Sequence, residues 1–135
     1  MTPYAVYREI EAGKNRKFYA DLTQFAWINI EKIRDPNARS YLLDLDDGEA
    51  ETLILPKEQA ADLVIIDEKL GRQYARHFDM ELTGTIGILL NAKDQGLIHE
   101  VGPLLRQLQE NQSWISENLV ETALRIAGEI GFGKI

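Results

Sequence analysis

Leu63-Val64-Ile65-Ile66-Asp67 is the stretch on which the fold turns. It is an unbroken apolar run, mostly β-branched, that closes on an acid. Such a run suits a strand buried on both faces, as in a parallel sheet. Ligands of open parallel sheets sit at the carboxyl ends of the strands, so Asp67 is a candidate site residue. Downstream, Glu68 to Phe78 has helical spacing, with Leu70, Tyr74, Ala75 and Phe78 directed inward. Upstream, Asp46 and Glu49 form a capping-box pattern for a helix over 47–59. Pro56 falls inside that helix and is expected to kink or shorten it.

The flanks continue the alternation. Thr2-Pro3 reads as an N-cap followed by a proline at the first helical position, with Ala5, Val6 and Ile10 on one face and Gly13 as the stop. Lys14, Asn15, Arg16 and Lys17 make a short basic loop, and residues 26–31 alternate as a strand. Asp35-Pro36 opens a helix through Tyr41, Leu42 and Leu45. Met80 to Thr83 reads as a short strand, and Gly84-Thr85-Ile86-Gly87 leads into a helix ending at Gly96. Two more helices are expected, over about 101–110 and 117–128, the second capped by Ser116. Helices alternating with short strands predict a three-layer α/β domain with a short parallel sheet. No repeat or linker interrupts it, so a single domain is expected over 1–135.

The 135 residues carry 22 acids against 15 bases, a net charge of −7, and no cysteine. Disulfide, zinc-ribbon and thiolate chemistry are thereby excluded. No apolar run approaches the ~20 residues of a membrane span, and no leader pattern follows Met1, which predicts a cytoplasmic protein without membrane attachment. The charge is local. Residues 41–70 hold nine acids and two bases, while the remainder is balanced at 13 of each. Such a stretch is either a solvated helix face or a carboxylate cluster around a cation. Glu49, one step inside its helix, could point toward Asp67, and converging carboxylates suit Mg²⁺ or Mn²⁺. The Gly84–Gly87 turn offers free amides and the Thr85 hydroxyl to a phosphate. His77 and His99 are isolated; Ser40, Ser113 and Ser116 lack a His/Asp constellation; Trp27 and Trp114 read as packing residues.

Asp47-Gly48-Glu49-Ala50-Glu51, followed by Ala61-Asp62-Leu63-Val64-Ile65-Ile66-Asp67-Glu68-Lys69-Leu70-Gly71-Arg72, forms the centre of a wider pattern. Gly84-Thr85-Ile86-Gly87-Ile88-Leu89, Ala92-Lys93, Gly96-Leu97-Ile98, Pro103-Leu104-Leu105 and Trp114-Ile115-Ser116 extend it, as does the opening Pro3 to Ile10. In this order and spacing the chain resembles the PIN-like family of predicted nucleic-acid-binding proteins, related to the toxin ribonucleases of toxin–antitoxin pairs. The resemblance implies a PIN-like fold and a ribonuclease that gathers acids around Mg²⁺ or Mn²⁺ for metal-assisted hydrolysis. It places Glu9, Glu49 and Asp67 in the catalytic, metal-holding positions. Arg72, Thr85 and Lys93 become candidates for phosphate contact. RNA is the implied substrate, and an antitoxin-type protein or a second copy of the chain the implied partner.

The chain departs from the family pattern at its start, where the usual N-terminal central strand and its aspartate are missing. That departure implies impaired catalysis. It leaves three expectations open: the strands around 27–31 and 63–67 close the gap directly, a second chain covers it, or the coding start lies further upstream. The alternative function is a non-catalytic interaction module that binds an antitoxin-type partner or itself.

Overall fold

The computed structural model describes residues 1–111 and 114–130, so Ser113 lies outside the described residues. The fold is α/β, divided into two compact units, Met1–Thr83 and Gly84–Ile135. Among the described residues no helix is long and apolar enough to cross a membrane.

The first unit contains two parallel pairs of very short strands. In one, β1 (Thr2–Pro3) runs beside β2 (Ile30–Glu31), with Thr2 opposite Ile30 and Pro3 opposite Glu31. In the other, β3 (Val64–Ile65) runs beside β4 (Leu82–Thr83), with Val64 opposite Leu82. Thr2-Pro3 is therefore strand, where the sequence pattern predicts the start of a helix. Proline's fixed φ suits an extended residue as well as a first helical one, and Pro3 (φ −62°, ψ 144°) takes the extended option and becomes the N-cap of α1 (Tyr4–Ala12). The strands around 27–31 and 63–67 do not pair directly; β2 and β3 belong to separate sheets.

At the centre of this unit is α2 (Asp47–Gln59), which buries Ala50, Glu51, Leu53, Ile54 and Leu55. Its capping box forms as predicted: Asp46 Oδ1 accepts the Glu49 amide at 2.8 Å, and Glu49 Oε1 accepts the Asp46 amide at 3.3 Å. Pro56 does not shorten the helix, which runs to Gln59 and stops where Ala60 turns left-handed at φ 51°. The turn beyond Pro56 is anchored from outside. Glu58 accepts the Arg34 amide at 2.7 Å, and the Lys57 ammonium stands 4.8 Å from the Phe78 ring centroid.

The core joins Leu53 and Ile54 of α2 to Leu42, Leu45, Val64, Ile66 and Ala75. β3 is not buried on both faces as its sequence predicts. Val64 and Ile66 are buried, but Ile65 is 54% exposed and Leu63 is exposed too. A strand alternates its side chains, and here only one of its faces meets the core. Leu70, expected inward on α3 (Lys69–His77), is also exposed. The helix expected from Asp35-Pro36 through Leu45 is a 3-10 turn over Pro36–Tyr41, capped by Asp35 through the Asn37 amide at 3.0 Å. Trp27 is no packing residue, being 78% exposed, and Trp114 is exposed as well.

The second unit holds α4 (Thr85–Asp94), α5 (Gly102–Asn111) and α6 (Glu117–Ile126), packed on Val101, Leu105, Ile115, Val120 and Ala123. Ser116 caps α6 as predicted, its Oγ accepting the Leu119 amide at 3.1 Å. Glu129 closes the amino end of α5. Its carboxylate accepts the Val101 amide at 2.8 Å and the Gly102 amide at 2.9 Å, and pairs with Lys93 at 3.0 Å. Burial alone would raise the Glu129 carboxyl; the two amides and the Lys93 ammonium outweigh it and hold it below its ordinary value. A carboxyl lowered by folding stabilises above its unfolded pKa and loses that contribution as pH falls through the folded one. Glu129→Ala is expected to cost about 2–3 kcal/mol in urea unfolding at neutral pH, and the difference from the parent chain should shrink on acidification.

Candidate metal centre

The first two helices hold each other by their amino ends. Helix amino ends leave amides without intrahelical partners, and a carboxylate there also meets the favourable end of the helix dipole. Glu51 of α2, only 6% exposed, accepts the Ala5 amide in the first turn of α1 at 3.0 Å. Its second oxygen faces the Arg39 guanidinium at 3.5 Å. In return the Glu9 carboxylate of α1 stands close over Gly48 in the first turn of α2, where the Gly48 amide favours its charged form. A side chain at position 48 would stand 2.9 Å from Glu9 Cδ, so only glycine admits this approach.

Next to this junction lies a cavity of about 230 Å³. Its lining brings together Glu9 from α1, Asp46 and Glu49 from the start of α2, and Asp67 and Glu68 from the end of β3, with no basic side chain among the lining residues. Two of these acids show the electrostatic consequence. Burial raises Glu9 above its ordinary value, with Asp46, Asp47 and Glu68 adding to the shift against the Gly48 amide. Burial also raises Glu49, assisted by the charges of Asp46 and Glu68. Asp67, Glu49 and Glu9, separated by tens of residues in sequence, thus share one cavity. Among the described residues, however, no three His, Cys, Asp or Glu side chains are arranged to hold a single ion. Glu49 meanwhile accepts the Asp46 amide at 3.3 Å, and the Glu9 carboxylate stands close over Gly48.

A family model described as a PIN domain matches residues 1–129. The chain belongs to the PIN domain family. No curated protein and no solved structure matches it. PIN domains are nuclease-type domains and generally depend on divalent metal. The donor chemistry of this PIN domain's cavity fits such an ion. Its acidic side chains offer hard carboxylate oxygens, and burial together with neighbouring negative charges raises two of them.

The expected phosphate contacts divide between the two units. Arg72 donates to the Ile66 carbonyl at 3.0 Å, directly before Asp67. Thr85 opens α4 in the second unit, where Gly84 is the N-cap. Lys93, in that same unit, donates to the Ala127 carbonyl at 2.6 Å besides its bond to Glu129. Asp46 and Glu68 line the cavity, although the sequence pattern gives Asp46 only a capping role and Glu68 only a helix start. Their signal was proximity in sequence to Glu49 and Asp67. Glu51 had none, because its partner amide lies 46 residues away.

The raised Glu49 carboxyl gives a test. A carboxyl raised by folding stabilises below its unfolded pKa and loses that contribution as pH rises through the folded one. Glu49→Gln keeps an N3 side chain able to complete the capping box while removing a charge from the cavity. Its thermal midpoint should exceed that of the parent chain at neutral pH, and the two should converge below about pH 4.

Proposed function

We propose that this PIN domain is a cytoplasmic Mg²⁺- or Mn²⁺-dependent endoribonuclease of the toxin type, with Glu9, Glu49 and Asp67 holding the cation. The observation that carries this reading is the cavity lined by five acids and no base. A surface built only to be solvated would not turn carboxylates from α1, α2 and β3 into one recess. When bound, the cation supplies Lewis acidity toward phosphate oxygens and toward an attacking water. The chain's own part is positional. Glu9 lines the cavity with its carboxylate close over Gly48, while the Asp46 amide holds Glu49 at its helix end. Arg72, bonded to the Ile66 carbonyl, stiffens the end of β3 that carries Asp67 and is the nearest candidate in sequence for an RNA phosphate. Thr85 and Lys93 are further candidates for that contact.

Calorimetric titration with Mn²⁺ tests the metal directly. Heat saturating below millimolar metal is expected, and Glu49→Ala and Asp67→Ala should abolish most of it. A flat thermogram at millimolar Mn²⁺ would sink the nuclease reading. With metal, cleavage of a fluorogenic RNA should fall on the order of 100-fold in Glu49→Gln, as is common when one transition-state-stabilising group is lost.

A second reading, an interaction module binding an antitoxin-type protein or a second copy of itself, is favoured by the strand edges. Val64 and Ile66 donate to Glu81 and Thr83 of the β4 side at 2.9 Å each. Strand alternation then turns the Ile65 amide and carbonyl to the opposite edge, which no strand covers among the described residues. Exposed Leu63 and Ile65 sit on that same strand run. Light scattering should then report a dimer, and a strictly monomeric mass would count against self-association there.

A further inference from the structure

The connection between α1 and β2 is chemically unlike the rest of the chain. Its residues 13–29 hold three bases (Lys14, Arg16, Lys17) against one acid, Asp21, a net of +2 in a protein of −7. Residues 12–20 contain no acid at all. Lys14 is paired with Glu11, but neither Arg16 nor Lys17 forms an ion pair among the described residues. The same connection carries three exposed aromatic rings, Phe18 at 56%, Phe25 at 40% and Trp27 at 78%.

These rings are held out by local structure. Asp21 caps a 3-10 turn over Leu22–Gln24 by accepting the Thr23 amide at 3.0 Å. The Phe25 amide closes that turn on the Leu22 carbonyl at 3.2 Å, and the Ile28 amide returns to the Phe25 carbonyl at 3.1 Å. Trp27 thus sits within a second tight turn that projects it into solvent. Its ring meets Phe25 edge-on, with centroids 6.0 Å apart and planes at 69°. The segment is tied at both ends, by the Tyr19 hydroxyl on Glu11 and by the Thr2 amide on the Asn29 carbonyl. Lys17 lies 5.3 Å from the Phe18 centroid, which keeps a cation beside an open ring face.

We infer that this basic, aromatic connection, with Trp27 and Phe25 as stacking rings and Arg16 and Lys17 as phosphate contacts, binds single-stranded nucleic acid. Charge complementarity selects a polyanion, and unburied ring faces select unpaired bases over a duplex, whose bases are already stacked. Every base has a π-face, so RNA and DNA strands should both bind. The inference stands apart from the nuclease reading because binding here needs no metal.

The test uses the full chain in EDTA, where metal-dependent cleavage is silent, with Trp114→Phe leaving Trp27 as the only indole. Oligouridylate and oligothymidylate of about ten nucleotides are the probes, beside a duplex of equal length. Both single strands should quench Trp27 emission and bind in a salt-dependent way, with the duplex markedly weaker. Trp27→Ala should weaken binding about tenfold by anisotropy of a labelled strand, Trp27→Phe should retain most of it, and Lys17→Glu should flatten the salt dependence. Trp27 is so exposed that its replacement leaves the core intact. Absence of quenching by both strands, equal affinity for the duplex, unchanged affinity in Trp27→Ala, or a dimer that Trp27→Ala dissociates would each overturn the inference. Failure in EDTA with Mn²⁺-dependent cleavage intact would remove this platform and leave the nuclease.

Discussion

The mutual capping of α1 and α2 is the constraint on which the first unit depends. Each helix brings a carboxylate to the other's amino end, Glu51 to the Ala5 amide and Glu9 close over Gly48. The Glu51 bond and the close approach of Glu9 to Gly48 join the amino ends of the two helices. They also fix β1, because Thr2-Pro3 runs straight into α1 and must reach β2 at the same time. The buried end of the exchange needs a counter-charge, since an ionised carboxylate away from water is costly unless paired and hydrogen-bonded. Arg39 on the preceding 3-10 turn supplies it at 3.5 Å. Gly48 is the steric condition, and any side chain there would push Glu9 away.

What the sequence made legible follows from the range of the interactions. The capping box of Asp46 and Glu49 and the Ser116 cap close within three residues, so spacing alone predicts them, and both helices start where expected. Family membership was legible from motifs whose order spans nearly the whole chain. Misreadings arose where a distant partner decides. Thr2-Pro3 suits a helix start or a strand end, and β2, nearly thirty residues on, selects the strand. The run Leu63 to Ile66 suits a strand covered on both faces, but cover arrives on one face only. Trp27 has the composition of a core residue, and a turn closed by the Ile28 amide carries it outward instead.

The acidic stretch shows how one pattern can serve two purposes. A solvated face and a cation cluster were the two meanings its composition allowed. The structure shows a third use, since Asp46, Glu49, Glu51 and Glu58, all within 41–70, accept main-chain amides. These bonds satisfy donors that would otherwise be lost at helix starts and in the 34–35 turn. They also decide what remains for the cavity. A carboxylate has two oxygens, so an amide on one of them orients the group without exhausting it. Glu9 and Glu49 both stay raised, because burial, and after it the neighbouring negative charges, outweighs the favourable amide dipoles. Asp67 arrives by a different route, on the segment that follows β3. Anything that shifts β3 against α2 therefore changes the spacing of the acids. Strand pairing and the spacing of the acids are in this way one mechanical problem.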